Sequence, residues 1–136
     1  MNPEDYVSYT LALALKEAGF DEPCYAQWAC EPDGKPIIFG STAFVFRNSE
    51  CKGRDVAAPF IWQAQKWLRE KKKIDVLVWN CACGYGWEVS KAENGTGLIL
   101  FDDKGDNKDS GCWTSYESAL SAGIAAALDF LDNEKE

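Results

Sequence analysis

The stretch Trp79-Asn80-Cys81-Ala82-Cys83-Gly84-Tyr85-Gly86-Trp87 sets two thiols one residue apart among glycines and aromatics. Thiolates bind soft metals and exchange disulfides, so the pair raises three readings: a metal knot, a redox couple, or the bend between two strands. The chain contains no histidine, so a structural zinc would need thiolates alone. The pairs on offer, Cys24-x5-Cys30 and Cys81-x-Cys83, lack the x2–4 spacing of zinc motifs. A Cys-x-Cys disulfide closes a very small, strained ring, and no neighbouring cation is present to lower a thiol pKa. The bend remains. In that reading Cys81 and Cys83 are small hydrophobes continuing one face of a strand, and Gly84 and Gly86 let the chain reverse or bulge. The six cysteines then read as reduced thiols of core and surface, with no metal and no cofactor expected.

The absence of histidine also removes the Ser-His-Asp and Cys-His nucleophile systems, leaving carboxylates, Lys, Tyr or Cys for any acid–base chemistry. One calcium register exists, opening at Asp106 and closing at Glu117. Lys108 puts a cation at its third ligand position, and the segment ahead of it is strand-like where the motif requires a helix. The run from Asp102 to Gly111 therefore reads as a solvated loop. A carboxylate pair could run glycoside hydrolysis, but nothing in the order of residues brings two of the 22 acids to the required separation. No GxSxG, P-loop, dinucleotide-binding or HExxH pattern is present. An enzyme using carboxylates or a thiol is the weakest of the readings.

The aromatics carry more. Most of the six Trp, five Tyr and seven Phe fall at core spacings. Trp62 projects to the polar side of a helix, and Tyr85, Trp87 and Trp113 lie near loops. Aromatics beside polar groups are typical interface anchors, so these residues are the candidate partner- or ligand-binding set. Against this stands the plainer possibility that they cap the edge of the core.

The elements that must hold them follow from periodicity. Ser8 caps a helix whose Leu11, Ala14, Leu15 and Ala18 share a face, with Gly19 as its left-handed end and Phe20 as the accompanying contact. Cys24 to Cys30 alternates as a strand, and Glu31-Pro32-Asp33-Gly34-Lys35 turns the chain into a second strand at Pro36 to Phe39. Residues 41–46 could extend the sheet, whereas 47–55 read as polar loop. A second helix begins at Ala58-Pro59 with Pro at or near N1, and Phe60, Ile61, Ala64, Trp67 and Leu68 on one side. Lys71-Lys72-Lys73 complements its dipole. Three strands follow, from Ile74, from Gly86 and from Gly97, the last two joined through an Asn94-Gly95 turn. Thr114 and Glu117 form a capping box for a last helix along Leu120, Ile124, Leu128 and Leu131, kept slim by Ala119, Ala122, Gly123, Ala126 and Ala127. The expectation is one α+β domain over residues 1–136, three helices on a mostly antiparallel sheet of about five strands, in the order α-ββ-α-βββ-α.

Net charge is −8, from 14 basic and 22 acidic residues. An acidic chain without a basic stripe is a poor nucleic-acid binder. No apolar run approaches the ~20 residues of a membrane span, and the acidic start Met1-Asn2-Pro3-Glu4-Asp5 does not resemble a secretion signal. A cytoplasmic protein is expected, with neither nucleic acid nor membrane as partner.

Three blocks, Asp5 to Cys24, Ala58 to Lys72 and Ser115 to Leu128, resemble signature segments of small uncharacterised proteins of gut Bacteroidetes, often carried in prophage or other mobile elements. The resemblance implies a shared fold and a mobile-element context, and assigns no activity. The Cys81–Cys83 stretch is not part of it. The function expected from the sequence is a small accessory or protein-interaction module, non-enzymatic; the alternative is a small-molecule binder with an aromatic cleft.

Overall fold

The computed structural model describes residues 2–92, 97–102 and 113–134. Among them the chain forms three α-helices and six strands, and it divides into two compact units, Met1–Ala64 and Gln65–Glu136. The chain is α+β, as the periodicities require. The Asn94-Gly95 turn and the calcium register from Asp106 lie outside the described residues.

In the first unit, helix α1 (Tyr9–Glu17) is closed at both ends by its own sequence. Ser8 Oγ accepts from the Leu11 N–H at 3.2 Å, satisfying one of the orphan donors of the first turn. Gly19 turns left-handed at φ +101°. The Phe20 N–H then reaches Leu15 O at 2.9 Å and the Gly19 N–H reaches Lys16 O at 3.1 Å, the paired bonds of a Schellman end. The buried face is Leu11, Ala12 and Leu15, a slight rotation from the expected stripe.

Strands β1 (Ala26–Cys30) and β2 (Pro36–Gly40) form the expected hairpin, in a register that pairs Cys30 with Pro36 and Ala26 with Gly40. Its turn is built by Asp33 Oδ1 accepting the Lys35 N–H at 2.9 Å and by Gly34 at φ +87°. Residues 41–55 extend no strand. Phe46 makes a single bridge to Cys24, Asn48–Glu50 form a 3₁₀ turn, and a two-residue strand, β3 (Val56–Ala57), pairs with the free side of β1. This segment is held by Asn48, whose side chain is buried. Its Nδ2 donates to Phe20 O at 2.8 Å and its Oδ1 accepts the Ala57 N–H at 2.9 Å.

Helix α2 (Ile61–Lys71) starts later than expected. Phe60 is its cap, with its carbonyl accepting the Ala64 N–H at 3.1 Å. Pro59 therefore sits outside the helix, where its carbonyl takes the Val7 N–H at 3.1 Å. At the other end Lys73 adopts φ +58°, so the lysine run stops the helix with a left-handed residue. Lys72 Nζ lies 5.4 Å from the centroid of the Trp67 ring.

Strands β4 (Ile74–Cys81), β5 (Gly84–Lys91) and β6 (Leu98–Phe101) form a second antiparallel sheet in that order. The single five-strand sheet expected from the sequence is thus two three-stranded sheets. The cause is local. β3 adds to the second edge of β1 and β6 to the second edge of β5, so each hairpin gains its third strand within its own unit. Helix α3 (Tyr116–Glu134) covers one face of the second sheet against β4 and β5. Its cap is one residue later than the Thr114–Glu117 box. Ser115 Oγ accepts the Ser118 N–H at 3.0 Å while Ser118 Oγ accepts the Ser115 N–H at 3.2 Å. The short serine hydroxyl takes the reciprocal role expected of the Glu117 carboxylate. Gly123 sets the depth of the contact, since a Cβ there would lie 2.6 Å from Val76 Cγ1 and 3.0 Å from Trp87 Cβ.

Two outcomes follow. Gly123→Ala gains about 1 kcal/mol of helix propensity but forces α3 off the sheet, and should lower stability by about 1–2 kcal/mol in urea unfolding. Asn48→Ala strands two backbone groups and should cost about 2–4 kcal/mol by the same measurement.

Candidate functional site

Helix α2 turns Ile61, Ala64, Trp67 and Leu68 inward, and residue 62 follows Ile61 by one step of about 100°, toward the polar side. Trp62 is accordingly 58% exposed. It is not a lone indole. Its ring stacks on Phe60 with centroids 5.6 Å apart and planes within 13°, and Phe60 stacks in turn on Tyr6 at 4.7 Å and 22°. Tyr25, 57% exposed, leans on the same Phe60 at 6.4 Å.

The backbone fixes this row. Tyr6 and Phe60 are bridge partners, so their rings leave adjacent extended segments in parallel. Gln63 Nε2 donates to Pro23 O at 2.9 Å and ties the first turn of α2 to the residues before Tyr25. Stacked pairs add ~0.5–1.5 kcal/mol beyond their burial, which holds the indole in place even though most of it faces water. The row offers flat π faces with two phenol oxygens at its margin. Such a surface takes an aromatic or aliphatic side chain, or a guanidinium lying over a ring.

The other three residues singled out in the sequence lie in the second unit. Tyr85 and Trp113 are brought together by a two-way backbone bridge, at 2.9 Å and 3.0 Å, and Tyr85 meets Tyr116 edge-on at 6.2 Å. Trp87, by contrast, is buried at 8% exposure on the face under Gly123 of α3 and is a core residue. Tyr6, Phe60 and Tyr25, the residues that accompany Trp62, were not among the candidates. Tyr25 carried a signal, since it falls on the opposite side of the alternating segment from the buried Cys24 and Ala26.

The opposite face of the second sheet carries Leu77, Trp79 and Phe101. Leu77 and Phe101 are 44% and 51% exposed, and the Trp79 ring stacks on Phe101 at 5.7 Å. Trp79 also lies flat over Gly86, its cross-strand partner, where an added Cβ would enter the indole. The Cys81–Cys83 question resolves here. Strand β4 runs through Cys81, and Ala82-Cys83 is a two-residue turn into β5. Gly84 takes φ +143°, a conformation side chains rarely adopt. Both cysteines are exposed, and the reversal comes earlier than expected: Cys83 lies in the turn and not on a strand face, while Gly84 and Gly86 already belong to β5. Among the described residues, no three His, Cys, Asp or Glu side chains are grouped so as to hold a metal ion, and no helix is long and apolar enough to cross a membrane.

The thiols of the first unit differ. Burial pushes Cys24 from the ordinary 9.0 up to about 12, and Cys51 and Glu22 act in the same direction. Burial also raises Cys51. The hydrogen-bonded contact of the Tyr9 hydroxyl with the Cys30 sulfur, at 3.4 Å, is the main cause that raises the Tyr9 phenol. These are groups held neutral, the reverse of an activated nucleophile.

Comparison with protein-family models, with curated proteins and with solved structures returns no match.

Because Cys24 holds its proton more tightly when folded, its contribution to stability is complete below pH 9.0 and is lost as pH rises toward about 12. Denaturant titrations across that range should show stability falling with pH, and Cys24→Ala should flatten part of the slope. At pH 8 a thiol reagent should label Cys81 and Cys83 quickly and Cys24 only on unfolding.

Proposed function

We propose that the chain is a small cytoplasmic accessory module that binds a protein partner through the aromatic row Tyr6, Phe60, Trp62 and Tyr25, and that it performs no catalysis. The observation that carries this reading is the stacked and largely exposed Trp62 indole. A helix does not need an indole on its polar side, whereas a rigid exposed aromatic is the residue type most enriched at the centres of protein interfaces. Its order is already provided by Phe60, so little side-chain entropy remains to be lost on binding. The net charge of −8 supports a protein rather than a nucleic acid as the partner and suits a cationic one, since arginine stacks well on such a row.

The test is a pair of variants, Trp62→Ala and Tyr25→Ala, with a photo-crosslinking residue placed at the neighbouring exposed Lys66. Each should move the melting temperature by no more than about 5 °C and abolish a discrete crosslinked species that the parent chain forms in cells. Crosslinking that survives both substitutions would overturn the reading. So would a large fall in melting temperature for Trp62→Ala, which would make the indole a structural residue.

A further inference from the structure

The hydrogen-bond phase of the second sheet determines what its outer strand leaves open. The Ala92 N–H donates to Lys73 O at 2.9 Å, and these residues continue the β4–β5 register by one pair. The pairs of the same parity, Asp75 with Ser90, Leu77 with Glu88 and Trp79 with Gly86, are therefore the hydrogen-bonded ones. Val76, Val78 and Asn80 turn their backbone groups the other way, toward the free side of β4. An independent contact agrees, because Gln65 Nε2 donates to Val76 O at 2.8 Å from that side. On β5 the complementary residues, Tyr85, Trp87 and Lys91, all bond away from β4, as the same phase demands.

Val76 is fully buried and its carbonyl is taken by Gln65. Val78 is half-buried and Asn80 exposed, and among the described residues nothing bonds their outward N–H and C=O groups. Soluble proteins guard such an edge with proline, lysine, an inward charge or a bulge. From Val76 to Cys81 strand β4 has none of these, and its pairing with β5 is regular throughout.

We propose that this edge pairs with β4 of a second copy of the chain, antiparallel about a two-fold axis at Trp79. The accessible part of the edge is self-complementary. Ile74 and Val76 are buried, which leaves two accessible residues separated by one, and in an antiparallel pair centred between them Val78 faces Asn80 of the other copy and Asn80 faces Val78. Each residue exchanges both its groups, giving four backbone hydrogen bonds. Leu77 then faces Cys81 across the junction. No charged side chain meets its like there, and in a chain of net charge −8 such a neutral strip is where two copies can approach. The exposed Leu77, Trp79 and Phe101 face would run on across the junction, and the two sheets would become one of six strands.

Sedimentation velocity of the full chain in reductant, from about 5 µM to about 1 mM, tests this. The expected result is a reversible shift from the 15.1 kDa monomer to a dimer, with slowed exchange of the Val78 and Asn80 amides as concentration rises. Asn80→Pro removes an outward donor and Asn80→Lys adds a repelling charge. Neither touches a bond within the sheet, and each should weaken dimerisation by at least about tenfold while leaving the circular dichroism unchanged. A chain that stays monomeric throughout would overturn the proposal. So would a dimer that persists in whichever of the two variants retains its fold.

Discussion

The first unit rests on one amide side chain. Asn48 is buried among apolar neighbours, and its donor and acceptor are spent on two backbone groups far apart in sequence, the carbonyl that ends the α1 turn and the N–H of β3. A polar group removed from water must be paired, and here the pairing also supplies order. It brings residues 41–55 back to the sheet, lets a strand of only two residues complete it, and delivers the chain to Pro59 and Phe60. The aromatic row depends on that delivery, since the bridge between Tyr6 and Phe60 forms only if the chain arrives there in extended form.

The second unit is organised by closeness rather than by polarity. The missing side chain of Gly123 lets α3 settle onto Val76 and Trp87, and the small residues around it keep the approach uniform. The Val76, Trp87 and Val89 part of one face of the sheet is thereby buried. On the other face, Trp79 is folded down over Gly86 and against Phe101.

How much of this could be read from the residues depends on the range of the forces involved. The Ser8 cap, the Gly19–Phe20 end and the hairpin at Asp33-Gly34 are all decided within six residues, and periodicity and turn chemistry find them. The same is true of the outward direction of Trp62. The reversal after β4, by contrast, reads from the residues as lying at Gly84 and Gly86, later than the observed Ala82-Cys83 turn. The long-range features were hidden. Nothing near Asn48 in sequence announces that its partners are Phe20 and Ala57, so β3 and the split into two sheets were not legible. The shift of the last helix cap from Thr114 to Ser115 shows a second limit, since two overlapping boxes satisfy the same local rule and tertiary packing chooses between them. Trp87 is a third case. Its position beside a loop suggested exposure, whereas the strand phase places it under α3.

The contact between Trp79 and Gly86 has a consequence for how this sequence can change over time. The indole occupies the volume of any side chain at position 86, so that residue is not free to vary alone. Replacement of Gly86 by a larger residue becomes acceptable only after residue 79 has shrunk, and a lineage passing through the reverse order would carry a steric clash. Positions 123 and 76 are bound in the same way across the helix–sheet boundary. Among descendants of this chain the two pairs should therefore drift as linked units, recording the three-dimensional fold as correlated substitutions between residues that sequence distance alone would never connect.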